Sequence, residues 1–431
     1  MDVSTVRRDT PASIIEGRST MKKVLVIGGG PAGLTAAKAL TDMGENVVLV
    51  ERTESLGGMA RELTCKGIVE CRNCGVCFAI DRANEILREP KVETLLLSEV
   101  ASAVRSDDVY SVKIKTSPRY VTDDCIGCGK CVEVCPVDGK AIFAPTGSGR
   151  PTTYWIDRSK CLHFKKAKCS KCAEACPTKA IDYEDRARSL SREVDAIVYA
   201  TGIDPIDACE MTRLGCGTLK DVISSVDAER VLNEKGRLLR PSDGKPPKKI
   251  AVMQCIGSRS VKVGVEYCSK FCCKYATKIS QMLLDIDPEV NLDFYFMDLR
   301  TLYEPQDEFK QWAKSKKTVR LLRTMPADIS PGQDGKLLVR TAAETDLEIT
   351  ESEYDLVILS VGMRPSGSDT ELAKSLGIAT DEMGFAKGDD ALERNRVFVC
   401  GAVTEPMDIE ETAVRAIATA SRLRGEKGAD A

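Results

Sequence analysis

Apolar and polar positions fall into blocks whose spacing changes along the chain. From Met21 the run KKVLVIGGGPAGLTAAKAL begins with unbroken apolar residues, passes through three glycines and continues with Ala and Leu at helical spacing. A short apolar run bounded by glycine reads as a strand buried on both faces, here feeding directly into a helix. ENVVLVE is a second strand, NEILREP a helix end, VETLLLSEV a third strand and VYSVKIK, apolar at every second position, a hairpin strand. Periodicity stops near Tyr120 and resumes near Tyr183, where SREVDAIVYATGIDP gives another buried strand. Beyond it a strand is expected from Lys249 to Met253, KISQMLLDI as a helix, VNLDFYFMDLR as a strand, a helix from Glu308 to Lys316 and TVRLLRTMPADI as a strand. A hairpin then leads into YDLVILSVGMRP, and RVFVCGAVTEPMDIEETAVRAIATASRLRG closes the chain as strand, turn and long helix.

Strands that alternate with helices imply parallel sheets, and the apolar strand ending in ATG has a later echo in LSVG. The expected fold class is therefore α/β, with two dinucleotide-binding domains and an inserted α+β domain of bacterial ferredoxin type. The division expected is an arm over 1–20, without assigned function, and a first part of the nucleotide domain over 21–119 with a Cys-rich segment at 65–77. An insert over 120–184 and a second part over 185–245 follow, then a second dinucleotide-type domain over 246–365 and a return to the first over 366–431.

With 431 residues there is ample material for two or three cores, and a net charge of -3 implies neither a nucleic-acid surface nor an acidic tail. Nineteen cysteines, no signal peptide and no long apolar run point to a reducing compartment in which thiols bind metals. The expectation is a cytoplasmic protein without direct membrane insertion, its membrane association, if any, arising through partners. A single histidine, His163, nearly removes imidazole-based acid/base chemistry, and it reads as a solvated loop residue more readily than as a group tuning a metal site.

The insert carries the sharpest chemistry. Cys125, Cys128, Cys131 and Cys135-Pro136 form CxxCxxCxxxCP, and Cys161, Cys169, Cys172 and Cys176-Pro177 repeat it with a lengthened first gap. Three thiolates on one tight loop hold three corners of a cubane, while the distant Cys-Pro serves the other cluster. That rule assigns Cys125, Cys128, Cys131 and Cys176 to one 4Fe-4S cluster, and Cys161, Cys169, Cys172 and Cys135 to a second. A zinc ribbon or disulfide knot explains the paired Cys-Pro endings less well.

Gly28, Gly30 and Gly33 stand in GxGxxG register between strand and helix, where backbone amides face a pyrophosphate. Glu51, followed by Arg52, ends the second strand at the position of a ribose-binding acid. Gly57 and Gly58 favour FAD over NAD, since they resemble the loop after that acid in flavoproteins with two dinucleotide domains. Thr201 and Gly202 end the strand that crosses under the dinucleotide. Cys65, Cys71, Cys74 and Cys77 suit a further 4Fe-4S cluster, the reading we favour, although a zinc site or a cluster held by only three of them fits the spacing too. At the second strand turn the phosphate cradle is missing: Gln254 to Arg259 replaces it, and Cys255, Cys268, Cys272 and Cys273 gather nearby, which reads as a cluster in place of a pyridine nucleotide. Sixteen cysteines are thus claimed, leaving Cys209, Cys216 and Cys400, none in a CxxC or CxxxxC pair of a flavin-linked dithiol.

GGGPAGL, the insert ahead of ATG, MQCIGSR with CSKFCC, LSVGMRP and VFVCGAVTEPMDI together resemble the A-type subunits of heterodisulfide reductase. They resemble equally the relatives of those subunits in quinone-interacting membrane-bound oxidoreductase complexes and in the complex serving class II benzoyl-CoA reductase. The resemblance covers residues 21 to about 425. It implies a thioredoxin-reductase-like flavin fold, FAD, several 4Fe-4S clusters, and partners that are the other redox subunits of a complex and electron carriers such as ferredoxin. It also implies a lysine near the flavin shortly after the double cysteine, which here is Lys278. Long family members have an additional N-terminal domain and a C-terminal ferredoxin, both lacking here. The Gly-Asp usual at the last strand turn of flavoproteins with two dinucleotide domains is Gly401-Ala402 here, so the ribityl or pyrophosphate contact of that aspartate is lost unless Asp408 partly substitutes.

The function expected is an electron-transfer subunit that couples two-electron flavin chemistry to one-electron cluster hops, a design compatible with electron bifurcation. Two alternatives remain: a self-sufficient NAD(P)H-dependent flavin ferredoxin reductase, and a redox-sensing or scaffold subunit with structural clusters.

Overall fold

A computed structural model describes residues 23–144, 153–270, 272–300, 306–342, 349–367 and 370–425. The expected arm over 1–20 lies outside the described residues.

Two five-stranded parallel sheets form the two lobes. The first has the order Val397–Val399, Ala196–Tyr199, Val24–Ile27, Val47–Val50, Val92–Leu95, every neighbour parallel. Every residue of Val24–Ile27 and Val47–Val50 is buried, because helices Pro31–Asp42 and Ile409–Gly425 cover one face and a three-stranded antiparallel sheet covers the other. The second sheet runs Val222–Ser224, Leu356–Val361, Lys249–Ile256, Asn291–Tyr295, Val319–Leu322, again all parallel.

Each lobe carries its own antiparallel meander, which leads directly into one of the strands of its parallel sheet. In the second lobe this is Pro326–Pro331, Leu337–Ala342 and Ile349–Tyr354. In the first it is Ser98–Ser106, Val109–Thr116 and Arg188–Val194, and here the Cys-rich insert leaves the sheet. Thr116 pairs with Arg188, so the chain departs and returns side by side and the insert costs the sheet no hydrogen bond. Within the insert Val121 bridges Ile181, and Tyr120, Ala141, Ile142, Ile156 and Ala180 form a small core around the cysteines.

The division expected at residue 245 moves upstream. Val222–Ser224 pairs with Leu356–Val361, and the helix Ser225–Lys235 packs beside it, so both belong to the second lobe. A strand of three residues carries too few apolar positions to stand out before pairing supplies the rest of its stability. TVRLLRTMPADI likewise splits into two strands that enter different sheets. The lobes are joined by antiparallel crossing segments, Ile203–Pro205 against Met363–Pro365.

Candidate functional site

A cavity of about 340 Å³ opens between the lobes at the C-terminal ends of the first sheet's strands. This is where an open parallel sheet places its ligand. Its walls include Gly28, Gly30, Glu51, Arg52, Gly58, Thr201, Gly202, Lys278 and Asp408, nine residues that the sequence marks out from six separate segments.

The glycines are there for close approach. Gly28 has φ 106°, and a Cβ on it would lie 2.3 Å from the Ala200 carbonyl oxygen; one on Gly33 would lie 1.9 Å from the Gly28 oxygen. Gly30 caps the helix Pro31–Asp42 with no side-chain bond, and a Cβ there would meet nothing nearer than Gly58 Cα at 3.9 Å. The first-turn amides are thus left for an anion. The loop after the acid closes on this turn: Gly57 N donates to Gly29 O at 2.8 Å, and a Cβ on Gly58 would approach Gly30 Cα to 2.9 Å. Glu51 accepts from Gly29 N at 2.7 Å and from Thr53 N at 2.8 Å, which fixes its carboxylate at the strand end. Thr201 Oγ1 is buried without a hydrogen-bond partner, and Arg52 reaches Asp204 at 3.0 Å. An orphaned hydroxyl, open helix amides and glycines that admit no side chain together fit an adenine dinucleotide.

Gly401 does not line the cavity but lies behind it, where a Cβ would come within 2.4 Å of Ala32 Cβ. Asp408 faces the cavity with both oxygens engaged: one accepts from Glu411 N at 2.9 Å at the helix start and the other pairs with Lys274 Nζ at 3.2 Å.

The second lobe closes the far end with Val226, Arg230, Lys274, Tyr275 and Lys278. Lys278 Nζ donates to Asn73 O at 2.8 Å. Nothing in the sequence marks the most deeply buried charges here. Lys66, which also lines the cavity, pairs with Glu229 at 2.5 Å with each side chain 1 % exposed, and Thr64 N donates to the same carboxylate at 2.8 Å. Burial pushes the Glu229 carboxyl up, and Lys66 opposes that shift. The pair ties the lobes together at the cavity, and no sequence motif joins residues so far apart.

The insert sorts its eight cysteines into two small cavities. Cys125, Cys128, Cys131 and Cys176 line one, and Cys135, Cys161, Cys169 and Cys172 line the other, matching the crossed assignment expected from the Cys-Pro positions. Ala180 N donates to Cys176 Sγ at 3.3 Å. His163 is half-buried rather than solvated: its ring stacks on Tyr183 with centroids 3.6 Å apart and 7° between planes, and Tyr183 Oη lies 3.0 Å from Cys172 Sγ. Burial and that sulfur raise the Tyr183 phenol well above its ordinary range, so it keeps its proton and can donate to a thiolate at Cys172.

In the second lobe Cys255 lies within a register shift near the end of the strand Lys249–Ile256, in the left-handed region at φ 57°, a conformation that re-aims its side chain. The α-helix that should follow the turn at once is described only from Cys272, so residues 257–270 intervene, and among the described residues no α-helix starts at the turn. A Cβ on Gly257 would meet Ile206 at 2.6 Å, so the turn is packed where a cradle would be open. Cys255, Cys272 and Cys273 are buried and Cys268 is partly so. Burial and the Cys273 sulfur push the Cys255 thiol up to about 11. Gln254 and Ser258 have buried polar side-chain atoms without partners beside this set. Among the described residues, no three of these sulfurs lie within 4.8 Å of one another. A single tetrahedral zinc needs sulfurs about 3.8 Å apart, given bonds of about 2.3 Å, so the set as it stands is too wide for one such ion.

Cys65 and Cys71 are exposed on a loop, Cys77 is exposed at the start of the helix Val76–Ile86, and Cys74 lines the main cavity. Cys209 and Cys216 are bonded to each other, which corrects the expectation that thiols here serve metals alone. Neither lines the main cavity, and Cys400 is buried in the core of the first lobe.

Residues 23–72 match the family described as FAD dependent oxidoreductase, and residues 124–180 match the 4Fe-4S dicluster domain. The chain is 34 % identical over 441 residues to an A-type iron-sulfur subunit of the CoB--CoM heterodisulfide reductase of Methanopyrus kandleri, covering 95 % of this chain and 66 % of that protein. It is 33 % identical to the corresponding A-type subunit of Methanocaldococcus jannaschii, over 96 % of this chain and 65 % of that one. The chain thus spans slightly less than two thirds of these relatives' lengths. Among solved structures, thioredoxin reductases of Lactococcus lactis and T. acidophilum superpose with a TM-score of 0.51 each. The identities are 16 % and 15 %, with 94 % and 95 % of this chain and 98 % and 100 % of those chains covered. The fold is that of thioredoxin reductase with a ferredoxin-like domain inserted.

Proposed function

Since the chain belongs to the family of heterodisulfide reductase A-type subunits, we propose that it is the FAD- and iron-sulfur-dependent electron-transfer subunit of a multi-subunit oxidoreductase. The observation that carries this reading is the pairing of a dinucleotide cavity with three separate sets of four converging cysteines. When bound, FAD exchanges electron pairs and the clusters pass electrons singly.

Gly28, Gly30 and the amides of the helix they start hold the pyrophosphate, Glu51 the ribose hydroxyls, and Thr201 and Gly202 the strand end beneath the cofactor. Gly58 and Arg52 border the same groove, and Gly401 lets the last strand pack against the first helix. At the second-lobe end Lys278 holds a cation toward the flavin, with Lys66 and Lys274 beside it, an arrangement that favours the reduced, anionic form. The backbone oxygen of Asn73 fixes the ammonium of Lys278, while Glu229 fixes that of Lys66. We assign 4Fe-4S clusters to the two insert sets and to Cys255, Cys268, Cys272 and Cys273. A fourth, at Cys65, Cys71, Cys74 and Cys77, is supported by the position of Cys74 at the cavity rim.

The packed turn at Gly257 and the displaced helix at Cys272 weigh against the NAD(P)H-dependent alternative. Partner subunits and carriers such as ferredoxin are the expected donors and acceptors, and among the described residues no helix is long and apolar enough to cross a membrane. Anaerobic purification followed by flavin and iron analysis tests the assignment, with one FAD and about sixteen iron atoms per chain expected for four cubanes. About eight iron atoms would remove both clusters outside the insert.

A further inference from the structure

The two cysteine-bearing loops of the insert carry opposite charge. Residues 122–138, around Cys125 to Cys135, carry the acids Asp123, Asp124, Glu133 and Asp138 and one cation, Lys130. Residues 157–172, around Cys161 to Cys172, carry six Lys or Arg and one acid, Asp157. Lys165, Lys168 and Lys171 are exposed, as are Arg158 and Lys160. Lys160 lies 3.9 Å from Asp157, and Arg158 turns back over the Phe164 ring.

This basic face is also the one with a built route inward. Arg158, His163, Phe164, Lys168, Tyr183, Glu184 and Arg186 surround a surface recess of about 650 Å³. Behind it the His163 and Tyr183 rings are stacked at 3.6 Å, and the Tyr183 hydroxyl lies 3.0 Å from Cys172 Sγ. His163 Nδ1 is 3.0 Å from Cys169 O, which holds the imidazole against the tyrosine. The lengthened gap between Cys161 and Cys169 supplies the histidine of the stack and two of the exposed lysines, Lys165 and Lys168. Electron transfer falls off steeply with separation, and a stacked pair ending on a cluster ligand shortens the gap between a docked protein and that ligand.

We propose that this recess is the docking port for a small acidic iron-sulfur carrier protein, which exchanges electrons with the Cys135/Cys161/Cys169/Cys172 set through His163 and Tyr183. The proposal rests on the electron-transfer reading above. Docking moves one electron from the reduced carrier to that set, or the reverse, with no bond made or broken. Like charges turn the same partner away from the acidic Cys125 side, so orientation follows from the field alone.

The test uses the cluster-loaded full chain and a reduced two-cluster ferredoxin of acidic composition, mixed anaerobically in a stopped-flow instrument over a range of ionic strengths. Charge reversal of Lys165, Lys168 and Lys171 to Glu is expected to lower the second-order rate constant by about tenfold or more at low salt and to flatten its salt dependence. The Asp123→Lys, Asp124→Lys control is expected to keep the wild-type rate and slope. Tyr183→Phe is expected to leave the salt slope intact while slowing transfer and moving the cluster midpoint to a more negative value, since a hydrogen bond to the ligand sulfur is lost. A charge-reversed variant with full iron content and an unchanged rate and slope would overturn the port. An iron-free wild-type chain would instead overturn the electron-transfer reading, so the two failures are distinguishable.

Discussion

Gly28 has no alternative side chain, because the Ala200 carbonyl oxygen occupies the place of a Cβ and φ is positive. Gly28→Ala incurs about 1–2 kcal/mol of backbone strain and a further ~1–3 kcal/mol of crowding. Flavin per chain, read by absorbance, should fall about tenfold or more, since each 1.4 kcal/mol is a factor of about ten. The iron bound by the insert, about eight atoms, should stay level, as the insert has its own core. The Lys66 and Glu229 pair is the second residue-scale control point. Replacing either partner alone leaves a buried charge without its counterion, and Lys66→Met or Glu229→Gln should each destabilise the chain by about 3–5 kcal/mol. The double variant should recover part of that loss, and a double-mutant cycle on thermal melting measures the difference.

Among elements, the insert makes the sharpest commitment. Its two halves hand over one cysteine each, Cys135 and Cys176, so the sets are defined by space and not by chain order. Cys135→Ser should therefore remove the cluster held with Cys161, Cys169 and Cys172, lowering iron by about four atoms per chain. The signal from the set completed by Cys176 should persist in electron paramagnetic resonance. The reverse pattern, loss of the set containing Cys125, would mean that ligands follow chain order. The strand Lys249–Ile256 and the helix Cys272–Ile286 form a second control element. A dinucleotide site needs the helix start at the strand end, and here the segment 257–270 separates the strand from the described helix.

For the whole molecule, that separation has a functional consequence. With one dinucleotide cavity and no phosphate-facing helix start in the second lobe among the described residues, NADH or NADPH alone should leave the flavin spectrum unchanged in anaerobic titration. Dithionite should bleach it. Rapid bleaching by either nucleotide would restore the self-sufficient reductase as the better reading.

The amino-acid order by itself determined what local chemistry dictates: the glycine turn at 28–33, the acid at Glu51, the crossed cysteine sets and the loss of a cradle after Met253. The turn, the acid and the lost cradle are legible because each depends on spacing within a single loop or strand end, where backbone geometry leaves few choices, and the crossed sets because each Cys-Pro ending marks the ligand given to the other half. Only the tertiary structure decided which distant groups meet. It moved Val222–Ser224 into the second lobe, buried Lys66 on Glu229, bonded Cys209 to Cys216 and stacked the lone histidine on Tyr183 above a cysteine sulfur. Such contacts join residues from separate elements, and sheet pairing and side-chain packing, which no local pattern encodes, bring them within reach.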